Sequence, residues 1–193
     1  MSLLSISEPP PPSLGAADLY RKLLLLNGLR LLIGTALLIA TARLTLDAAD
    51  GFVRGAEGLL YGIIASIYLA SLAAALFLRA GRYLRSVAYG QIVGDLIAAT
   101  GLVYLTGGAE SIFTILYPLA IVNAAIGLSR RGATIAASAS AVVFMVLVVL
   151  TERSVVSVPA YLSRPPLPTP RLLLTLAANL SAFVLTAALS GYL

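Results

Sequence analysis

The sequence predicts an all-α integral membrane protein: a bundle of six transmembrane helices with both termini on the cytoplasmic side. Three observations carry that reading. The 193 residues are 60% hydrophobic and only 11% charged, and the mean hydropathy of +0.99 exceeds what a soluble domain tolerates on its surface. The apolar residues fall into six runs, each close to the ~20 residues that cross a hydrocarbon core of ~30 Å. The basic residues gather between alternate runs, as the positive-inside rule requires.

The elements follow in order. Residues 1–22 are polar and broken by Pro9 to Pro12, which cannot lie in a helix interior, so this segment is expected to be a disordered cytoplasmic tail. The transmembrane domain then covers residues 23–193, with expected spans 23–42, 58–78, 86–105, 112–128, 132–151 and 172–193. A secretory signal peptide competes for the first span, because Arg21 and Lys22 precede an apolar run ending in Ala40, Thr41 and Ala42. The run is too long for an ordinary signal core and contains Asn27 and Arg30, so it is read as a helix. Pro118 is expected to kink the fourth span after Tyr117 by removing a backbone donor.

Orientation comes from lysine and arginine. Arg21 and Lys22 precede the first span, Arg79, Arg82 and Arg85 follow the second, and Arg130 and Arg131 follow the fourth. The other loops mix signs or carry only acid: Arg43 and Arg54 lie among Asp47, Asp50 and Glu57, and Glu110 stands alone. The fifth loop, Ser163 to Pro170, is expected to be a stiff proline-rich spacer outside the cell. The last span then stops at Leu193 as it would emerge in the cytoplasm, and the polypeptide is expected to continue there.

Composition excludes several functions. Histidine and cysteine are absent, which removes imidazole bases, thiolates and the usual zinc ligands. No metal, cofactor or catalytic residue is expected. The net charge of +5 reads as topology signal, so nucleic acid is not an expected partner, whereas the lipid bilayer is.

In lipid, helices pack through small residues and interhelical hydrogen bonds. Small residues recur at four-residue spacing in Gly58, Gly62, Ser66, Ala70 and Ala74; in Gly90, Gly94 and Ala98; in Gly132, Ala136 and Ser140; and in Ala178, Ala182, Thr186 and Ser190. Ordinary packing within the chain is the expected use of these stripes, ahead of a dimer seam.

Two ionisable side chains lie inside the spans, Arg30 in the first and Asp95 in the third, and each is costly in hydrocarbon without a partner. At ~1.5 Å rise per residue they lie ~11 and ~14 Å from the cytoplasmic ends of their helices. Asn27 and Gln91 stand one helical turn before them. An intramembrane ion pair of Arg30 and Asp95, supported by Asn27 and Gln91, is expected. It serves either as a structural clamp or as part of a signalling switch; a proton relay is a third use, though pumps usually carry more than one acid in their spans. Asn123 and Asn179 are able to hydrogen-bond across helices, and a packing role is the expected one for both. Gly107 and Gly108 supply the backbone freedom for a helix hairpin turn between the third and fourth spans.

The stretch from Val103 to Ala125, with Gly107-Gly108, Ser111 and Phe113, followed by Arg130, Arg131 and Gly132, resembles the N-terminal six-helix membrane domain of PilS-like two-component sensor histidine kinases. Arg30, Gln91, Asp95 and the run from Ala182 to Leu193 fit the same pattern, so the likeness covers most of residues 23–193. It implies a sensory and anchoring domain in a bacterial inner membrane, preceding a cytoplasmic linker, a dimerisation domain and an ATP-binding kinase domain. The chain itself would not be an enzyme, since such a kinase phosphorylates a histidine and this chain has none. The resemblance implies a homodimer formed through the parent kinase, a membrane protein or peptide as signal, and a response regulator reached through the kinase domains. The alternative reading is a small free-standing multipass transporter or channel subunit with Asp95 as its coupling site. Against it, the spans show no inverted repeat and one acid alone lies at membrane depth.

Overall fold

The computed structural model describes residues 14–47, 57–79, 84–153, 156 and 167–190. These residues are entirely helical apart from short turns: α1 (Leu14–Asp47), α2 (Glu57–Arg79), α3 (Leu84–Thr106), two 3₁₀ turns (Gly108–Glu110 and Ile112–Ile115), α4 (Leu116–Glu152) and α5 (Thr169–Ser190). Five helical stretches are long and apolar enough to cross a membrane. Their outward faces carry large aliphatic side chains such as Leu25, Leu69, Ile97, Val142 and Leu174, a pattern that only a hydrocarbon solvent stabilises.

α1 starts at Leu14, nine positions before the expected span, so residues 14–22 are helix rather than disordered tail. The cause is local: beyond Pro12 no proline remains in this segment, and Asp18 and Lys22 form a 2.8 Å ion pair one turn apart, which supports an exposed helix. Hydropathy locates a membrane crossing, whereas the helix runs on through the interface. The rest of the expected tail, the spacer at 163–166 and the final residues 191–193 lie outside the described residues.

α4 contains the main architectural feature. It is 37 residues long, but Ser129 has φ 62° and ψ −166°, far from helical values. Along a straight helix Tyr117 and Phe144 would be about 40 Å apart; their ring centroids are 5.7 Å apart. The chain therefore reverses at Ser129 into two antiparallel limbs, 116–128 and 130–152. Gly132 allows a close approach just after the reversal, because a Cβ there would sit 2.7 Å from the carbonyl oxygen of Ala124. With Ile112–Ile115 the first limb extends about 27 Å and the second about 35 Å.

Pro118 does not kink this helix. It falls in the first turn of α4, directly after the 3₁₀ turn Ile112–Ile115, where no intrahelical acceptor awaits its missing N–H. The expected kink needed Pro118 in a helix interior, and the later helix start removes that condition.

The two ends of the bundle differ. At one end Leu23, Leu78 and Ala88 pack together with Leu128 against them, so the exposed Lys22, Arg79, Arg85, Arg130 and Arg131 cluster around that end. At the opposite end Gly107 (φ 132°) and Gly108 (φ 58°) turn the chain out of α3; side chains rarely adopt such angles, so glycine is required. Ser111 then caps the second 3₁₀ turn, its Oγ accepting from the Phe113 N–H at 3.1 Å, and Glu110 meets Arg171 of α5 at 2.8 Å. The larger core lies between α3, α4 and α5, centred on the fully buried rings of Tyr117, Phe144 and Phe183.

Candidate functional site: a polar cluster between α1, α2 and α3

Arg30 and Asp95 meet in the half of the bundle built from α1 to α3. Arg30 Nε donates to Asp95 Oδ1 at 2.6 Å and Nη2 donates to Oδ2 at 2.7 Å, so both carboxylate oxygens are engaged by one guanidinium edge. Such side-on, two-bond pairing is the strong form of the interaction and fixes orientation as well as charge. The side chains are 9% and 17% exposed. The sequence places them together for a simple reason: at similar depth on neighbouring helices, each is the compensating charge the other requires.

Gln91 contributes differently from its expected role. Its backbone carbonyl, not its side chain, accepts from Arg30 Nη2 at 3.3 Å. The side-chain Nε2 is buried without a hydrogen-bond partner among the described residues. Asn27 makes no hydrogen bond to the ion pair among the described residues. Its Nδ2 donates to the carbonyl of Ser71 on α2 at 3.2 Å, so the polar face of α1 divides its contacts, Arg30 holding α3 and Asn27 holding α2. One turn above Arg30, Thr35 and Tyr68 share a 2.6 Å hydroxyl contact that adds a second tie to α2.

Two residues enter the cluster that sequence reasoning did not assign to it. Ser71 is buried and supplies the acceptor for Asn27; every residue has a carbonyl, so no sequence signal singles this one out. Asn123, from the first limb of α4, lines small voids beside Arg30 and Asp95, and its Oδ1 is buried without a partner among the described residues. Its depth near the basic end was the available signal. Asn179 bonds the Thr175 carbonyl of its own helix at 2.9 Å, with no hydrogen bond to another helix among the described residues.

A chain of contacts runs from the pair to the last helix. Thr100, five residues beyond Asp95 on α3, donates to the Leu96 carbonyl at 2.6 Å, which leaves its oxygen to accept from the Tyr117 hydroxyl at 2.9 Å. The Tyr117 ring then packs on Phe183 of α5 with centroids 5.4 Å apart.

The small-residue stripes separate into two uses. Gly132, Ala136 and Ser140 are buried between helices as expected. Those of α2 and α3 instead face one another across an open groove: Ser66, Ala70 and Ala74 line one wall and Gly90, Gly94 and Ala98 the other. The packed face of α2 is the adjacent line of Ile64, Ile67, Ser71, Ala74 and Leu78, with Ile67 and Ala74 buried at the groove's edge.

Helices of membrane-crossing length, an apolar exterior and a salt-bridged polar core define a polytopic helical membrane domain. The family described as the PilS-like transmembrane domain matches residues 15–193, and the chain belongs to that family. No curated protein and no solved structure matches it.

Proposed function

We propose that the chain is the membrane-embedded sensory and anchoring domain of a two-component sensor histidine kinase in a bacterial inner membrane. Membership of the PilS-like family over residues 15–193 is the observation that carries this reading. In it, the two limbs of α4 are separate spans, giving six in all, and the end bearing Lys22, Arg79, Arg85, Arg130 and Arg131 faces the cytoplasm together with both termini. The parent kinase forms a homodimer and passes phosphate to a response regulator. The signal is a membrane protein or peptide.

The mechanism follows from the cluster and the contact chain. A switch needs two packed arrangements close in free energy, which the signal favours unequally. Arg30 and Asp95 set the register of α1 against α3, and Thr100, Tyr117 and Phe183 connect α3 through the first limb of α4 to α5. Repacking at the pair shifts α5, whose far end leads toward the cytoplasmic domains. The reading frame beyond Leu193 in the native gene tests the assignment: a histidine-bearing dimerisation helix followed by an ATP-binding domain is expected, and a stop codon would overturn it.

A further inference from the structure

Asn123 carries a group that the cluster leaves unused. Its Oδ1 is buried without a hydrogen-bond partner among the described residues, and an orphaned buried carbonyl is costly wherever water is excluded. Two small voids flank the residue, and Arg30 and Asp95 border both of them. The smaller, of about 10 Å³, has Gln91 on its wall. The larger has a volume of about 50 Å³ and is bounded by α1, α2, α3 and the first limb of α4. Apart from Arg30, Asp95 and Asn123 its wall is aliphatic, as at Ile33, Leu102 and Leu119.

The three polar residues around the larger void have complementary capacity. Side-on pairing commits Arg30 Nε and Nη2 to the Asp95 carboxylate and the Gln91 carbonyl, so Nη1 keeps two N–H groups that bond nothing among the described residues. Each Asp95 oxygen has accepted one bond from Arg30 and retains acceptor capacity. Asn123 Oδ1 is a further acceptor. A molecule that accepts once and donates twice matches all three.

Size and charge select water as that molecule. A void needs roughly 10–15 Å³ to admit one water, which in turn needs two to four polar partners; the larger void meets both conditions. Small-molecule sites run to roughly 300–1,000 Å³, far above the 50 Å³ here, so neither a lipid chain nor an organic ligand fits. Arg30 and Asp95 neutralise one another, so no net charge recruits a bare ion. We infer that a bound water lies between Arg30, Asp95 and Asn123, accepting from Arg30 Nη1 and donating to an Asp95 oxygen and to Asn123 Oδ1. Asn123 presents its oxygen to the void by turning about its soft terminal torsion. The water ties the ion pair to the first limb of α4, beside the direct contact of Thr100 with Tyr117. This inference stands apart from the kinase reading because its test measures hydration rather than output.

The test uses the full chain in deuterated lipid bilayers, with its three asparagines labelled with carbon-13 and its one glutamine with nitrogen-15. Solid-state NMR reads the magnetisation passed from water protons to the asparagine side-chain carbons. The Asn123 signal, assigned by its loss in Asn123→Leu, is expected to rise at short mixing times, well ahead of Asn179, whose amide bonds its own helix. Lowering the pH slows base-catalysed exchange of amide protons, and the transfer to Asn123 is expected to persist. Ala120→Leu, which fills the void from its wall, is expected to abolish that transfer while Asn123 remains, and thermal melting reports its fold. A wild-type Asn123 polarised no faster than Asn179 overturns the proposal without reference to any variant, and so does transfer that vanishes as the pH falls. A carbon–nitrogen distance placing Gln91 Nε2 in direct contact with the Asn123 amide also overturns it, since the unpartnered donor and acceptor then satisfy each other without water.

Discussion

Removing one member of the Arg30–Asp95 pair should cost far more than removing both. Asp95→Asn leaves the guanidinium charged, partly buried and missing one of its two charge-assisted bonds, each worth about 1.5–3 kcal/mol. Arg30→Gln leaves the carboxylate in the same position. Breaking a buried pair by removing one partner typically costs about 3–5 kcal/mol, and the 17% exposure of Asp95 places the expected loss near the lower figure, about 3 kcal/mol for each single variant. The double variant Arg30→Gln with Asp95→Asn replaces the pair by two neutral amides able to bond each other, and should lose under about 2 kcal/mol. Reversible unfolding in mixed micelles gives the coupling energy through a double-mutant cycle. A coupling of at least about 3 kcal/mol is expected; additive single losses, with coupling below about 1 kcal/mol, would refute the claim that this pair fixes α1 against α3.

Three further outcomes follow from the geometry. Ser129 occupies a backbone region that is essentially glycine-only and costs a side-chain-bearing residue about 1–3 kcal/mol, so Ser129→Gly should raise stability by about 1 kcal/mol in the same unfolding assay. Gly132→Ala should lose about 1–3 kcal/mol by overpacking, because its Cβ would press on the Ala124 carbonyl and Leu128; Gly62→Ala, where space is open, should leave stability unchanged or slightly higher. Reporter fusions after Arg79, Arg131 and Ser190 should read as cytoplasmic and those after Asp47, Gly108 and Arg153 as external; an Arg131 fusion on the same side as the Gly108 and Arg153 fusions would contradict the reading of the two limbs of α4 as separate spans.

Hydropathy made the helices legible because a lipid-facing helix must be apolar along its whole crossing, and it missed their ends because interfacial turns need not be. Hence α1 reaches back to Leu14 and Pro118 sits in a first turn rather than an interior. The separation of the fourth and fifth apolar runs was visible in Arg130 and Arg131, but the strained residue that performs the reversal, Ser129, carries no compositional mark. Arg30 and Asp95 stood out because ionisable groups are rare at that depth. The roles of Asn27 and Gln91 did not, since one bonds a backbone carbonyl on α2 and the other acts through its own carbonyl. Acceptors of that kind exist at every position, and packing alone selects between them. Small-residue spacing showed a smooth stripe on α2 and α3, yet it could not say whether the stripe meets a helix or borders a groove.

The central claim is that the polar cluster is part of a switch read out by the last helix. It is tested most directly by fusing residues 1–193 to a histidine-kinase core and measuring autophosphorylation in membrane vesicles for the wild type, Asp95→Asn, Arg30→Gln and Tyr117→Phe. Coupling between sites typically amounts to about 1–3 kcal/mol, so a change of at least about fivefold in phosphorylation rate is expected in variants that insert and fold. Unchanged rates across all three folded variants would contradict the account and leave the domain a passive anchor.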